Sequence, residues 1–425
     1  MENKYLEKFF FIFFSIIPLS MILGPSVSLI NIIIINFLFI YYLYISKDFT
    51  FLKNKIIVLL LILYIYLIFN SFISIDPSIG IKRNLGFLRF ILLFLAFNYF
   101  FYYSENSKKI LKWWSIILFI FVIDVFVEFF TGSNTLGFGD INSKEFFGPR
   151  IVGFFKDEPI AGAFVLGFFL IIIGNFFNDF EKKKNYVKIL IYVIAFLFLF
   201  SILVTGERSN SLKALAAFLI FFSFNHLIKN KTKILFLLSF SIMISFSFMY
   251  SDFLKYRFND SFIQMFTSKE KIMNTYQRSI YSVMYKTGFQ VFIKYPIFGV
   301  GNKNFRVEIC QNDISPFFGK ESSPYQLCTT HPHQIYFEFL AEHGIIGSIL
   351  LLSILFFLIF RLLRIIFISK NYLQFGCFLY LILVFTPLLP GGSFFNDFSS
   401  TIFWINFSLL YASDKKTNIY HSLKS

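Results

Sequence analysis

Charge is scarce in this chain. Only 15% of its 425 residues are Asp, Glu, Lys or Arg, against about 25% in a soluble domain, which argues against an ordinary soluble enzyme. Strict apolar–polar alternation is also missing. That disfavours a β-barrel, whose strands turn every second side chain to lipid. There is no Gly-rich loop closing on Lys-Ser/Thr, so no ATPase is suggested. The three cysteines and five histidines show no metal-ligand spacing, and His331 with His333 alone makes a weak pair. No internal repeat and no heptads are visible.

What the chain has is apolar surface: 57% of its residues are hydrophobic, 68 of them Phe. Blocks of about 20 apolar residues can each cross a bilayer. They fall at roughly 8–24, 26–45, 56–72, 85–103, 112–130, 159–177, 186–205, 211–228, 233–252, 344–363, 373–390 and 398–413. The expected fold class is all-α, a polytopic helical membrane protein of about 12 transmembrane helices with one large loop. No small-residue cleavage site follows Lys4 and Lys8, so the first block reads as a retained span. It turns tightly into the second through Gly24-Pro25-Ser26. Residues 253–343 are too polar to cross. The chain therefore divides into a bundle of nine spans at 1–252, a large loop with amphipathic helices at 253–343, and three more spans with a tail at 344–425.

The net charge of +15 would suit a nucleic-acid partner, but its placement argues against one. Lys and Arg crowd the segments around Lys4 and Lys8, Lys47 to Lys55, Lys108 to Lys112, Lys182 to Lys188, Lys229 to Lys233, Arg361 to Lys370, and Lys415 to Lys424. The short connections between these hold only Lys82, Arg83, Lys144, Arg150, Lys156, Arg208 and Lys213. Basic residues are retained on the cytoplasmic side, so both termini are expected in the cytoplasm and the large loop outside. The excess charge is a topology signal, and no nucleic-acid partner is expected.

Three polar features then gather on the outer face. One runs from Gly148-Pro149-Arg150 to Asp157-Glu158. Another is the tight turn Thr205-Gly206-Glu207-Arg208-Ser209-Asn210-Ser211. The last closes the large loop, from Thr330-His331-Pro332-His333-Gln334 to His343-Gly344. Within the loop, Asn274 to Lys294 has a helical apolar period, and Tyr295-Pro296-Ile297-Phe298-Gly299-Val300-Gly301 ends it.

These motifs, in this order around a large exterior loop, resemble the O-antigen ligase and polymerase superfamily of bacterial envelopes. The residues that carry the likeness are Arg150 to Gly153 with Asp157-Glu158, Thr205 to Ser209, Arg278 with Pro296 to Gly301, and His333 to Gly347. Gln334 is a departure, since the family often has Asn there. The resemblance implies a membrane-embedded, metal-independent glycosyltransferase of GT-C-like fold in the bacterial inner membrane, with its active face periplasmic. It implies an undecaprenyl-diphosphate-linked glycan as donor, lipid A-core or a growing glycan as acceptor, membrane lipids around it, and no cofactor. By the same resemblance Arg208 and Arg278 hold the diphosphate, and His333 activates the acceptor hydroxyl. Arg150 and Glu158 are further candidates for substrate binding.

Physical chemistry supports these assignments separately. Guanidinium groups bind paired anionic oxygens bidentately, and Arg208 lies at headgroup level by virtue of its short turn. Pro332 suits a first helical position capped by Thr330. His333 would then sit in the first turn, where the helix dipole keeps the imidazole neutral, as a general base requires. Asp124 and Glu128 share one face of their span, with Arg89 as the expected counter-ion in a structural pair. Cys310 and Cys328 lie 18 positions apart in the exterior loop, where an oxidising compartment permits a disulfide. Transfer to lipid A-core (ligase), joining of repeat units (polymerase), and a glycan transporter or flippase remain open. The loop ending in His favours an enzyme, and the repeated halves with broken helices of a transporter are not visible.

Overall fold

A computed structural model describes residues 4–139, 150–156, 158–260, 263–311 and 328–421, with the backbone alone at 260, 265, 274–278 and 311. In lipid every backbone N–H and C=O must find its partner within the segment, so apolar runs fold as helices. Among the described residues there is no strand. The first helices are α1 (Lys4–Ser15), α2 (Ile17–Leu23), α3 (Pro25–Ser46), α4 (Lys55–Phe72), α5 (Pro77–Gly86) and α6 (Leu88–Tyr103). Next come α7 (Ser107–Thr131), α8 (Ala161–Asn178), α9 (Asn185–Val204), α10 (Arg208–Phe224), α11 (Asn230–Tyr250) and α12 (Asp252–Leu254). The remainder are α13 (Lys269–Arg278), α14 (Ile280–Lys294), α15 (Phe305–Gln311), α16 (Ile335–Phe360), α17 (Leu363–Ser369), α18 (Tyr372–Val384) and α19 (Asp397–Ala412).

Among the described residues eight helices are long and apolar enough to cross a membrane, or nine if α1 and α2 form one broken span. Every expected span has a helix, but several are shorter than expected. The first is bent by 48° between α1 and α2, with Pro18 in the opening turn of α2. α10, α18 and α19 have 17, 13 and 16 residues, and a helix of 13 residues reaches only about 20 Å. The apolar blocks were read through the turns that end these helices.

Side-chain amides stitch one end of the bundle. Asn178 accepts from the amide of Tyr372 at 2.7 Å, Gln374 donates to Thr417 at 2.8 Å, and Asn418 donates to the Asn98 carbonyl at 2.9 Å. The opposite end collects the other connections. There Ile75 N–H donates to Val300 at 3.0 Å, Ile151 N–H to Thr205 at 3.1 Å, and Gly391 N–H to His333 at 2.8 Å.

The helix expected over 274–294 is broken at Ser279, whose hydroxyl caps α14 by accepting from Ser282 N–H at 3.2 Å. α14 then turns Val283, Met284, Thr287 and Val291 inward, while Phe289 stays 46% exposed. The following Pro-Gly segment docks on α16, which is interrupted at Gly344 (φ +61°, ψ −166°). That break frees backbone groups inside the helix, and residues 296–301 take them up. Ile345 N–H donates to Pro296, Ile346 N–H to Ile297, Val300 N–H to Ala341, and Gly301 N–H to Glu342, all at 2.8–3.2 Å. Glycine is required for this approach. A Cβ on Gly299 would lie 2.4 Å from the Glu342 carbonyl carbon, and one on Gly344 2.4 Å from that of Ile297.

Arg89 is not the counter-ion of Asp124 and Glu128. It pairs with Asp397, which also holds Arg83 at 2.6 Å. The two acids of α7 grip the next loop instead. Asp124 accepts from the Thr135 hydroxyl at 2.6 Å, and Glu128 accepts from the amides of Val152 and Gly153 at 3.0 and 2.7 Å. Backbone amides near the helix end outcompete a guanidinium that has a closer acid of its own.

Candidate active site

The site forms where the ends of α8, α10, α14 and α16 meet the connection between α18 and α19. Its frame is set by Glu207, which precedes α10. The carboxylate accepts from Gly162 N–H and from the Asn210 amide, each at 2.6 Å. It thereby meets the open donors at the start of α8 and fixes the turn that presents Arg208. Burial raises its pKa, opposed by those donors and by Arg150.

Three guanidiniums converge on this turn. Arg208 begins α10 half-buried, within electrostatic reach of Arg150, Tyr256 and Tyr281. Arg150 stands close to both Glu207 and His333, and its buried Nε has no hydrogen-bond partner among the described residues. Arg257, 2% exposed, lies in a π-helical turn, Lys255–Asp260, and grips the Gly206 carbonyl through Nε at 3.1 Å and Nη2 at 2.8 Å. Burial and the two neighbouring arginines push its pKa down to about 10, so it stays charged near neutrality. With three cations around one buried acid, the turn is electropositive and favours anions.

His333 faces this group. Its ring meets Tyr281 edge-on at 6.0 Å and lies 4.0 Å from the His331 ring, centroid to centroid. Burial, with His331 and Arg150 nearby, lowers its pKa to about 4; Glu338 and the Gly391 backbone oppose the shift. His331 is likewise lowered to about 4, mainly by burial and then by Lys303. Both imidazoles are therefore neutral near pH 7.

The local backbone differs from the expected one. Helix α16 starts at Ile335, and its cap is Gln334, whose amide oxygen accepts from Tyr336 and Phe337 N–H at 2.8 and 3.1 Å. Thr330 and Pro332 therefore do not open the helix; the Thr330 hydroxyl lies 2.9 Å from His331 Nδ1. His333 precedes the cap with φ +58°, a left-handed conformation uncommon for a residue with a side chain. Its neutrality comes from burial and neighbouring charge, not from a place in the first turn. The amide at 334 serves the backbone cap, a job that Gln and Asn share.

A strap between α18 and α19 closes the site. The Leu388 carbonyl accepts from Tyr285 at 3.2 Å, and that of Pro390 from the Ser209 hydroxyl at 2.6 Å. Gly391 donates to the His333 carbonyl at 2.8 Å and turns its own carbonyl to His331 Nε2 at 3.4 Å. Ser393 accepts from Lys303 at 2.5 Å and donates to Glu338, which also accepts from Phe394 N–H at 2.9 Å.

The structure thus brings together Arg150, Arg208 and His333. Arg278 ends α13, three residues before Tyr281, and its side chain lies outside the described residues. Glu158 is exposed in the loop before α8, and Asp157 is outside the described residues. Cys310 and Cys328 are joined by a disulfide, with Cα atoms 5.1 Å apart. Among the described residues no group of three or more His, Cys, Asp or Glu is arranged to hold a metal. Sequence reading missed Arg257, Tyr281, Lys303, Glu338 and Ser393. The π-helical turn and the Pro-Gly-Gly strap carry no motif, although a Pro-Gly-Gly run between two apolar blocks was a visible turn signal.

Residues 193–352 match the family model described as O-antigen ligase. The match spans Arg208, Arg257, Lys303, His333 and Glu338, and leaves Arg150 and the strap outside. No curated protein matches the chain.

Proposed function

Since residues 193–352 carry the domain of the O-antigen ligase and polymerase superfamily, we propose that this membrane protein transfers an undecaprenyl-diphosphate-linked glycan to lipid A-core, as an O-antigen ligase. The observation that carries the proposal is the convergence of Arg150, Arg208 and Arg257 opposite a neutral His333. The acceptor hydroxyl attacks the anomeric carbon of the donor sugar and passes its proton to His333 as the new bond forms. The bond between that carbon and the phosphate oxygen breaks, and undecaprenyl diphosphate leaves with the electron pair. Guanidiniums placed at the departing diphosphate stabilise charge that grows in the transition state, so the reading needs no metal. Arg278 joins them in holding the diphosphate. The chain sits in the inner membrane with both termini cytoplasmic and this site facing the periplasm. Reporter fusions after Lys183 and Lys231 should accordingly read cytoplasmic.

A deletion strain tests the proposal through its lipopolysaccharide. Core without O-chain, with lipid-linked polymer accumulating, is the expected result. Core carrying a single repeat unit would reassign the chain as a polymerase, and an unchanged surface glycan would sink both.

A further inference from the structure

The chain between Arg257 and Tyr281 leaves the site and returns to it. Its start is held by Arg257 on the Gly206 carbonyl, and its end by Tyr281 against the His333 ring. Gly206 belongs to the tight turn between α9 and α10, so both ends are fixed at the face of the bundle where those helices connect. Between them lie a 3₁₀ turn, Ile263–Phe266, and α13. Every side chain described from Ile263 to Met273 is exposed. Among them Ile263, Phe266, Ile272 and Met273 are 46–57% exposed. Single apolar side chains on a surface are ordinary, but a cluster on one short arm marks an interaction surface.

The element before the arm identifies what it meets. Helix α11 is apolar and 21 residues long, and only its Phe236 and Phe240 are buried. It therefore stands at the rim of the bundle with most of its surface to lipid. From its end at Tyr250 the chain runs through α12 and the π-helical turn Lys255–Asp260, windings that rise only about 1.5 Å per residue. The arm thus begins beside the rim and near the level of the bilayer surface. In a 3₁₀ turn residues three apart share a face, which aligns Ile263 with Phe266. Lys269 and Lys271 are exposed beside Ile272, with Glu270 between them. Long lysine stems let the ammonium reach headgroup phosphates while apolar neighbours sit deeper.

We propose that residues 263–273 lie in the headgroup layer of the leaflet on the side of the site, with Ile263, Phe266, Ile272 and Met273 turned into the acyl boundary. The partner is a lipid surface. By resting there the arm sets the height of Arg257 and Tyr281 over the bilayer, the height at which any lipid-borne substrate presents its head. The inference goes beyond the donor reading above and stands whichever glycan the site takes.

The test uses the full chain in nanodiscs of phosphatidylethanolamine and phosphatidylglycerol. A spin label is placed by Ile263→Cys or Ile272→Cys, with Glu270→Cys as the reference for water and Leu238→Cys, on the exposed side of α11, as the reference for lipid. Cys310 and Cys328 are paired and Cys377 is buried, so the new thiol alone takes the label. The readout is the ratio of collisions with oxygen, which concentrates in lipid, to collisions with a nickel chelate confined to water. Labels at 263 and 272 should give ratios severalfold above that at 270 and near that at 238, corresponding to a depth of about 5–10 Å. Ratios matching position 270 overturn the inference. Labels shielded from both reagents also overturn it, because a protein then covers the arm, and dipolar coupling between labels would identify that protein as a second copy. Should a cysteine variant fold poorly, the unaltered chain is photolabelled with a phospholipid carrying a diazirine on its acyl chain. Adducts on residues 263–273 support the inference, and adducts on α11 with none on the arm overturn it.

Discussion

Ser393 donates its hydroxyl to Glu338 across 55 positions of sequence, tying the first turn of α16 to the strap that crosses the site. Through Ser393 the bond extends to Lys303, and through Gly391 the same strap holds the backbone of His333 and the ring of His331.

Glu338 is therefore a positioning residue, and its loss should act through His333. Glu338→Gln and Ser393→Ala are each expected to lower kcat about tenfold, the effect of roughly 1.4 kcal/mol, with KM for the lipid-linked donor little changed. Because the two share one hydrogen bond, the double variant should be no worse than the weaker single one. Additive losses, or losses confined to KM, would remove this role.

His333→Ala should abolish transfer at normal membrane abundance. The wild-type rate should stay level between pH 6 and pH 8, since His333 with a pKa of about 4 is already neutral there. Stability responds in the opposite region. The unfolded chain protonates its histidines below about 6.5, while folded His331 and His333 resist until about 4. The unfolded state thus binds more protons in that window, and stability falls as pH drops through it. Melting temperature followed from pH 7 to pH 4 should decline, and less steeply in the His331→Asn variant. Identical slopes would contradict the assignment.

Arg257 offers a contrast with Arg208. Its guanidinium grips the Gly206 carbonyl through two nitrogens, so it braces the turn as well as charging the pocket. Arg257→Lys keeps the charge and loses the fork. It should cost about 1.5–3 kcal/mol of stability, the value of a charged hydrogen bond, and lower transfer as well. Arg208→Lys should lower transfer with little change in melting temperature. The two variants need only a melt and a complementation assay, and equal melting temperatures would refute the distinction.

The sequence was informative where physics is local. Apolar blocks longer than a bilayer is thick announced the helices, and Arg208 and His333 stood out because polar groups were gathered beside such blocks. Contacts between distant segments were not legible. Arg89 is expected beside Asp124 and Glu128 because charges inside a membrane pair with one another, whereas its partner Asp397 lies 308 positions away. Arg257 looked like any charged loop residue, because nothing in its neighbours reveals that the Gly206 carbonyl, 51 positions earlier, needs a donor. Pro332 and Thr330 imitate a helix opening, but α16 opens four residues after Thr330 at the Gln334 amide, which takes the free amides of Tyr336 and Phe337.

The break in α16 gives a prediction in which two glycines with the same unusual backbone should behave differently. Gly344 and Gly24 both have positive φ, +61° and +125°, so alanine is strained at either. Around Gly24 nothing lies within 4 Å of an added Cβ, whereas at Gly344 that atom would meet the Ile297 carbonyl carbon and oxygen at 2.4 Å. Backbone on both sides is held by the paired hydrogen bonds of residues 296–301 with 341–346, so neither can retreat without breaking them. Gly24→Ala should cost about 1–3 kcal/mol, the penalty of a backbone region (φ +125°, ψ 166°) that is almost reserved for glycine. Gly344→Ala adds a backbone clash and the loss of buried hydrogen bonds, for a total above roughly 3 kcal/mol. Because the displaced segment leads through Asn302 and Lys303 to Ser393, transfer should fall with it. Melting temperatures and transfer rates of the two variants in detergent provide the comparison. Equal, small shifts would mean that residues 296–301 do not hold the break in α16.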